Sequence, residues 1–113
     1  MATRTWIVNP QSNGRNYFTL NAPLAATDVT EGLEIGGSAG LAGALTLSGT
    51  FGGSVAIEGS NDDTTWATLK DAQGYNLTTT AATGFEFSTA FKKIRLNAGA
   101  GVTAVVPVLT LRG

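Results

Sequence analysis

Short runs of apolar or alternating residues, separated by clusters of Gly, Asn, Asp, Ser and Thr, follow one another along the whole of this chain. They cover residues 5–8, 16–20, 32–35, 42–47, 53–58, 66–70, 84–87, 91–96 and 103–111. Runs of this length with turn chemistry between them are the pattern of an all-β sandwich or barrel. Several alternate with period two, which turns one face of a strand to a core and the other to water. Ile94 and Leu96 share a face, with Lys93 and Arg95 on the other; Val55 goes with Ile57, and Phe18 with Leu20. The one helical contender, residues 37–47, contains Gly37, Gly40 and Gly43, and each Gly in a helix interior costs about 1 kcal/mol relative to Ala. Abundant Thr argues the same way, because a β-branched side chain loses rotamer freedom in a helix and fits a pleated sheet. The expectation is all-β: an antiparallel β-sandwich, jelly-roll-like, of about seven to nine strands.

The length, 113 residues, suits a single domain over 1–113 that needs no metal or disulfide to hold a core. With no Cys and no His, the chain lacks a thiolate nucleophile, a disulfide framework, an imidazole base and the commonest zinc ligands. Only 13% of residues are charged, against about 25% in typical soluble chains. Seven basic and eight acidic residues leave a formal charge of −1. That balance provides no basic field for nucleic acid or an anionic membrane, so neither is expected as a partner. The first ten residues carry no signal-peptide apolar core, and no stretch approaches the length needed to span a bilayer. Synthesis in the cytoplasm is expected.

Two stretches break the regular texture. Gly36 to Ala44 is uncharged and low in side-chain volume; it reads as a loop feeding a strand, or as a segment where backbones of neighbouring subunits approach closely. The final run, Val102 to Leu111, is apolar on both faces, which suits a central sandwich strand or one covered by a partner, and Pro107 within it cannot donate to a ladder. Proline places such a strand at an edge or a bulge, and an apolar edge invites a partner chain. The N-terminal segment, about residues 1–40, is expected to be arm-like and partner-contacting, with Arg4, Trp6, Arg15 and Tyr17 in the Arg-plus-aromatic composition common at interfaces. Val106, Val108 and Leu111 complete the expected partner-binding set. Core packing is the competing reading for Trp6 and Tyr17, and the favoured one for Phe18.

Gly59-Ser60-Asn61-Asp62-Asp63-Thr64-Thr65-Trp66 joins two strand runs as a hairpin. Asn and Asp tolerate left-handed backbone and bond their own main chain, as do Ser and Thr more weakly. The stretch resembles the Ser-Asn-Asp-Gly-Thr-x-Trp hairpin of discoidin-like, carbohydrate-binding β-sandwiches and of small structural proteins of tailed-bacteriophage virions. The phage resemblance takes in Val55 to Ser60, Phe91 to Leu96 and Thr103 to Leu111 as well, roughly the C-terminal half; Asp63 stands where the pattern has Gly. The resemblance implies a virion protein on the capsid surface, a decoration or cement subunit whose partners are a major capsid protein and copies of itself in a dimer or trimer. A carbohydrate-binding module and a tail or baseplate component are the alternatives. No cofactor is expected. Asn61, Asp62, Asp63 and Asp71 could ligate Ca²⁺, though a solvated polar turn explains them better, and no metal site is assigned. Glu58 and Glu86 sit on strand runs and could form an acid pair only across a cleft. Alternation turns each outward, so no catalytic residue and no enzyme activity are expected.

Overall fold

The computed structural model describes residues 2–10, 16–34, 41–71 and 73–112. Among the described residues there are eleven strands: β1 (Thr3–Arg4), β2 (Trp6–Asn9), β3 (Tyr17–Leu20), β4 (Val29–Thr30), β5 (Leu41–Thr50), β6 (Val55–Ser60), β7 (Ala67–Thr68), β8 (Thr78–Thr79), β9 (Thr83–Thr89), β10 (Lys93–Ala98) and β11 (Ala104–Arg112). The expected all-β sandwich is the observed one. The strand count exceeds expectation because β1, β4 and β8, each two residues long, lie outside every periodic run.

One sheet has the order β2-β3-β11-β5-β9; the other runs β1-β4-β10-β6-β7, with β8 also on β6. Setting aside β1 and β2, the orders are β3-β11-β5-β9 and β4-β10-β6-β7. This is what results when one long antiparallel ribbon, pairing β3 with β11, β4 with β10, β5 with β9 and β6 with β7, rolls into two layers: a jelly roll. All named pairings are antiparallel except β1 with β4.

The alternation in the sequence decides what lies between the layers. From the five-stranded sheet come Trp6, Phe18, Leu45, Leu47, Phe87, Val105 and Leu109; from the other come Val55, Ile57, Ile94, Leu96 and Ala98. Leu24, wholly buried, bridges to Val105 on the strand-free stretch after β3. Thr30 is a buried polar residue with full satisfaction: its hydroxyl accepts the Leu96 N–H at 2.9 Å and donates to the Glu31 carbonyl at 3.1 Å.

Two sequence expectations change. The N-terminal segment is no free arm over its described part: β1 pairs with β4 and β2 with β3 inside the domain. Residues 35–40, most of the Gly-rich stretch, lie outside the described residues, and β5 begins directly after them. The last strand takes the central position that its two apolar faces suit, and not the edge that Pro107 alone would allow. β11 is central, between β3 and β5. Pro107 is accommodated at an interruption of the β3–β11 ladder. Phe18 pairs with Leu109 and Leu24 with Val105, so the chain on the β3 side advances further than β11 does between those pairs. Val105 exchanges both main-chain bonds with Leu24; by alternation Pro107 aims its nitrogen at the same side, into the gap where no donor is needed.

Replacing Leu24 with Ala deletes a side chain wholly enclosed by both layers. It is expected to lower unfolding free energy by about 2–5 kcal/mol, read as a reduced urea midpoint at unchanged m-value.

Candidate functional site

A sandwich offers its two outer faces, and here they differ sharply in chemistry. On the outside of the β4–β10–β6 sheet, charges are internally matched. The Arg95 Nε donates to Glu58 Oε1 at 2.8 Å, and Asn97 Nδ2 donates to Glu58 Oε2 at 3.3 Å. The same guanidinium lies over the Trp66 ring, 4.3 Å from its centroid. Lys93 meets Asp63 at 3.3 Å. These groups occupy one another, as cross-strand opposite charges and cation–π pairs do.

The outside of the five-stranded sheet has almost no charge. β11 turns Val106, Val108 and Thr110 outward, β5 turns Ala42, Ala44, Thr46 and Ser48 outward, and the register sets Val106 against Ser48 and Val108 against Thr46. β2 and β3 add Ile7, Asn9, Tyr17 and Thr19; β9 adds Glu86, the only charged residue among the described side chains of this face. Ile7 is 44% exposed and Val106 43%, with Val108 close behind. Small and β-branched residues on a pleated surface make a broad, flat face that costs little to desolvate. Such a face fits a protein partner better than a small ligand, which needs a concave site.

The N-terminus is fastened by two acids. Asp28, almost wholly buried, accepts the Ala2 N–H at 3.0 Å and the Ala25 N–H at 2.9 Å, and pairs with Arg4 at 2.9 Å. The Ala25 N–H is the main reason its carboxyl sits below the usual range; the Ala2 N–H and the Arg4 charge add to it against the opposing effect of burial. Glu31 takes the Trp6 main-chain N–H on Oε1 at 3.0 Å, and its carbonyl takes the indole N–H at 3.1 Å.

The hairpin after β6 is built as its residues predict. Ser60 Oγ accepts the N–H groups of Asp62 and Asp63 and donates to Asp62 Oδ1. That oxygen also accepts the N–H groups of Thr65 and Thr64, at 2.8 and 2.9 Å. These bonds hold the Asp62 carboxyl down at about 2. Asp63 has φ of +61°, so it fills the left-handed position where the resembling hairpin carries Gly. Ser60 Oγ and Asp62 Oδ1 are thus engaged in holding the turn, and Asp63 Oδ2 faces Lys93. Among the described residues, no group of three His, Cys, Asp or Glu side chains comes together to hold a metal.

Of the expected partner-binding residues, Tyr17, Val106 and Val108 come together on the charge-poor face. Trp6 and Leu111 pack inward against the core, and Arg4 is engaged by Asp28 on the other sheet. Arg15 lies outside the described residues. Glu58 and Glu86 lie on opposite outer faces of the sandwich and do not face each other. Sequence reasoning passed over Asp28, Glu31 and Ile7. For Ile7 the signal was available, since β2 alternation sets it opposite to Trp6; for the two acids, no local pattern marks the long-range bonds they make.

Acid should loosen the N-terminal clasp and the hairpin together. Both carboxyls are depressed in the folded protein from the ordinary 3.8, so their contribution is full above that value and is lost as pH falls through the folded pKa. The melting temperature is expected to fall between about pH 4 and pH 2, and the fall should be shallower in Asp62→Asn, which no longer binds that proton. No protein-family model matches the chain, and comparison with curated proteins finds no significant relative.

Proposed function

We propose that this chain is a structural protein of a tailed-bacteriophage virion, a decoration or cement subunit bound to the capsid surface, with the major capsid protein and copies of itself as partners. The observation that carries the reading is the flat, charge-poor outer face of the five-stranded sheet, with Ile7, Val106 and Val108 exposed on it. The resemblance of the hairpin and the two flanking runs to small phage virion proteins points the same way, and the chain's chemistry supports adhesion over catalysis. Burying such a face across a junction between capsid subunits adds binding free energy that opposes their separation, because whatever binds only the assembled state stabilises it. A standard contact buries about 1,600 Å² in total, and one sheet face of a domain this size is commensurate with one side of it. A tail or baseplate position would use the same face against another neighbour.

A saccharide-binding module, the other setting of the hairpin, works through an open aromatic ring. Trp6 is buried and Trp66 lies beneath Arg95; Tyr75 is the one strongly exposed aromatic among the described residues, at 71%. Tyr75 is bonded to Asp71, whose N–H donates to the Tyr75 carbonyl and whose Oδ1 accepts the Gln73 and Tyr75 N–H groups.

The test is made on particles of the phage that carries this gene. The chain is expected to co-sediment with purified virions, and particles lacking it to lose infectivity faster on heating. Val108→Asp places a charge on the proposed contact without touching the core; it should keep its melting temperature and bind stripped particles at least about tenfold more weakly. Equal heat survival with and without the chain, or its absence from purified particles, would overturn the proposal. Glycan binding lost in Tyr75→Ala would favour the saccharide reading instead.

A further inference from the structure

The five-stranded sheet has one edge that no described residue covers. Val105 exchanges main-chain bonds with Leu24 on the β3 side, while the Val106 and Val108 carbonyls point towards β5, reached by Ser48 Oγ at 3.4 Å and Thr46 Oγ1 at 3.5 Å. Backbone direction alternates along a strand. Ser48 and Thr46 therefore address β11, and Leu45 and Leu47 address their partners on β9, Phe85 and Thr83. Gly84, Glu86 and Ser88 aim their N–H and C=O groups away from β5. Among the described residues these groups find no other partner.

Sheet edges are normally blunted by shortness, charged side chains (Lys above all), Pro, bulges or a covering group, and the other described edges are short or closed. β1, β7 and β8 are two residues long. β2 has its outward Trp6 N–H closed by the Glu31 carboxylate and is followed by Pro10. β9 runs for seven residues without Lys, Pro or a left-handed residue, and Glu86 is its single charge.

We infer that β9 is a dimerisation edge, pairing antiparallel with β9 of a second copy. A copy is the occupant the edge fits because a strand paired antiparallel with itself obeys a two-fold axis and closes at two. Among the described residues no other edge offers a comparable open strand, so pairing does not propagate into a fibre. Charge selects the register. Glu86 opposite Glu86 would set like charges against each other across the axis. Shifting so that Phe87 lies on the axis places Glu86 opposite Ser88, whose hydroxyl can donate to the carboxylate. The two symmetry-related Glu86–Ser88 pairs then each exchange both main-chain bonds, and half-buried Phe85 is covered by the neighbour's Thr89. The charge-poor faces of the two copies become one continuous surface. The pairing stands independently of attachment to a capsid.

The mass of the purified chain in solution, by light scattering across a concentration series, tests this. The expected species is a dimer of twice 11.5 kDa that dissociates on dilution. Glu86→Pro removes an N–H that only the second copy would use and leaves the β5 ladder intact; it is expected to be monomeric with an unchanged circular dichroism spectrum. Amide exchange on the unmodified protein gives a second reading. The Glu86 and Ser88 amides should be protected in the dimer and lose protection on dilution, while those of Phe85 and Phe87 stay protected at both concentrations. A monomer up to about millimolar concentration, a trimer or larger assembly, or a dimer whose Glu86 and Ser88 amides exchange freely would overturn the inference. Should Glu86→Pro fail to fold, the exchange measurement decides alone.

Discussion

The pairing of β5 with β11 is the axis of this molecule. Every residue from Ala104 to Arg112 has a partner between Thr50 and Ala42, so a long antiparallel ladder ties the end of the chain to its middle. Its inward side supplies Leu45, Leu47, Val105 and Leu109 to the core, and its outward side forms the centre of the charge-poor face. Everything else hangs on that ladder: β3 and β2 extend it one way, β9 the other. The phase of β9 on β5 follows from the phase of β5 on β11, and so the identity of the groups left at the open edge is settled by a contact two strands away.

Much of this was legible in the sequence, because the physics that decides it is local. Period-two alternation correctly separates Phe18 and Leu20, Val55 and Ile57, and Ile94 and Leu96 as inward residues. The Asn-Asp hairpin announces itself through side chains that bond their own backbone, and the structure adds only that Asp63 bears the left-handed angle. What stayed hidden depends on contacts distant in the chain. Nothing around Asp28 says that it will gather the Ala2 and Ala25 amides and Arg4, and the two-residue β1 has no period to detect. The rule for proline confines it to edges or bulges, yet Pro107 sits in a central strand beside an interrupted ladder. The rule concerns an unmet donor, and it is satisfied just as well in mid-sheet when the neighbouring strand pulls away.

The candidate face was half visible for the same reason. Val106, Val108 and Tyr17 lie on it as isolated positions in the sequence. Assembling them into one surface needs the strand order β2-β3-β11-β5-β9, which is a global property. Trp6 shows the converse. Its type and its neighbours suit an interface, but the period of β2 turns it inward, where its indole N–H finds the Glu31 carbonyl.

The uneven use of charge links fold to function. A chain with so few charged side chains has spent several of them in pairs: Arg4 with Asp28, Lys93 with Asp63, and Arg95 with Glu58 beneath its contact with Trp66. Each pair holds a connection that hydrophobic burial leaves weak, namely the short β1, the hairpin tip and the outer side of a sheet whose partner strands are brief. The ladder of β5 with β11 has no such need, being long and buried on its inner side. Over the described side chains, its outer side is free of the charges that would resist desolvation. A face with so little charge is well suited to adhesion, since a neighbour that covers it need meet only one described ion, Glu86, to leave no buried charge unpaired.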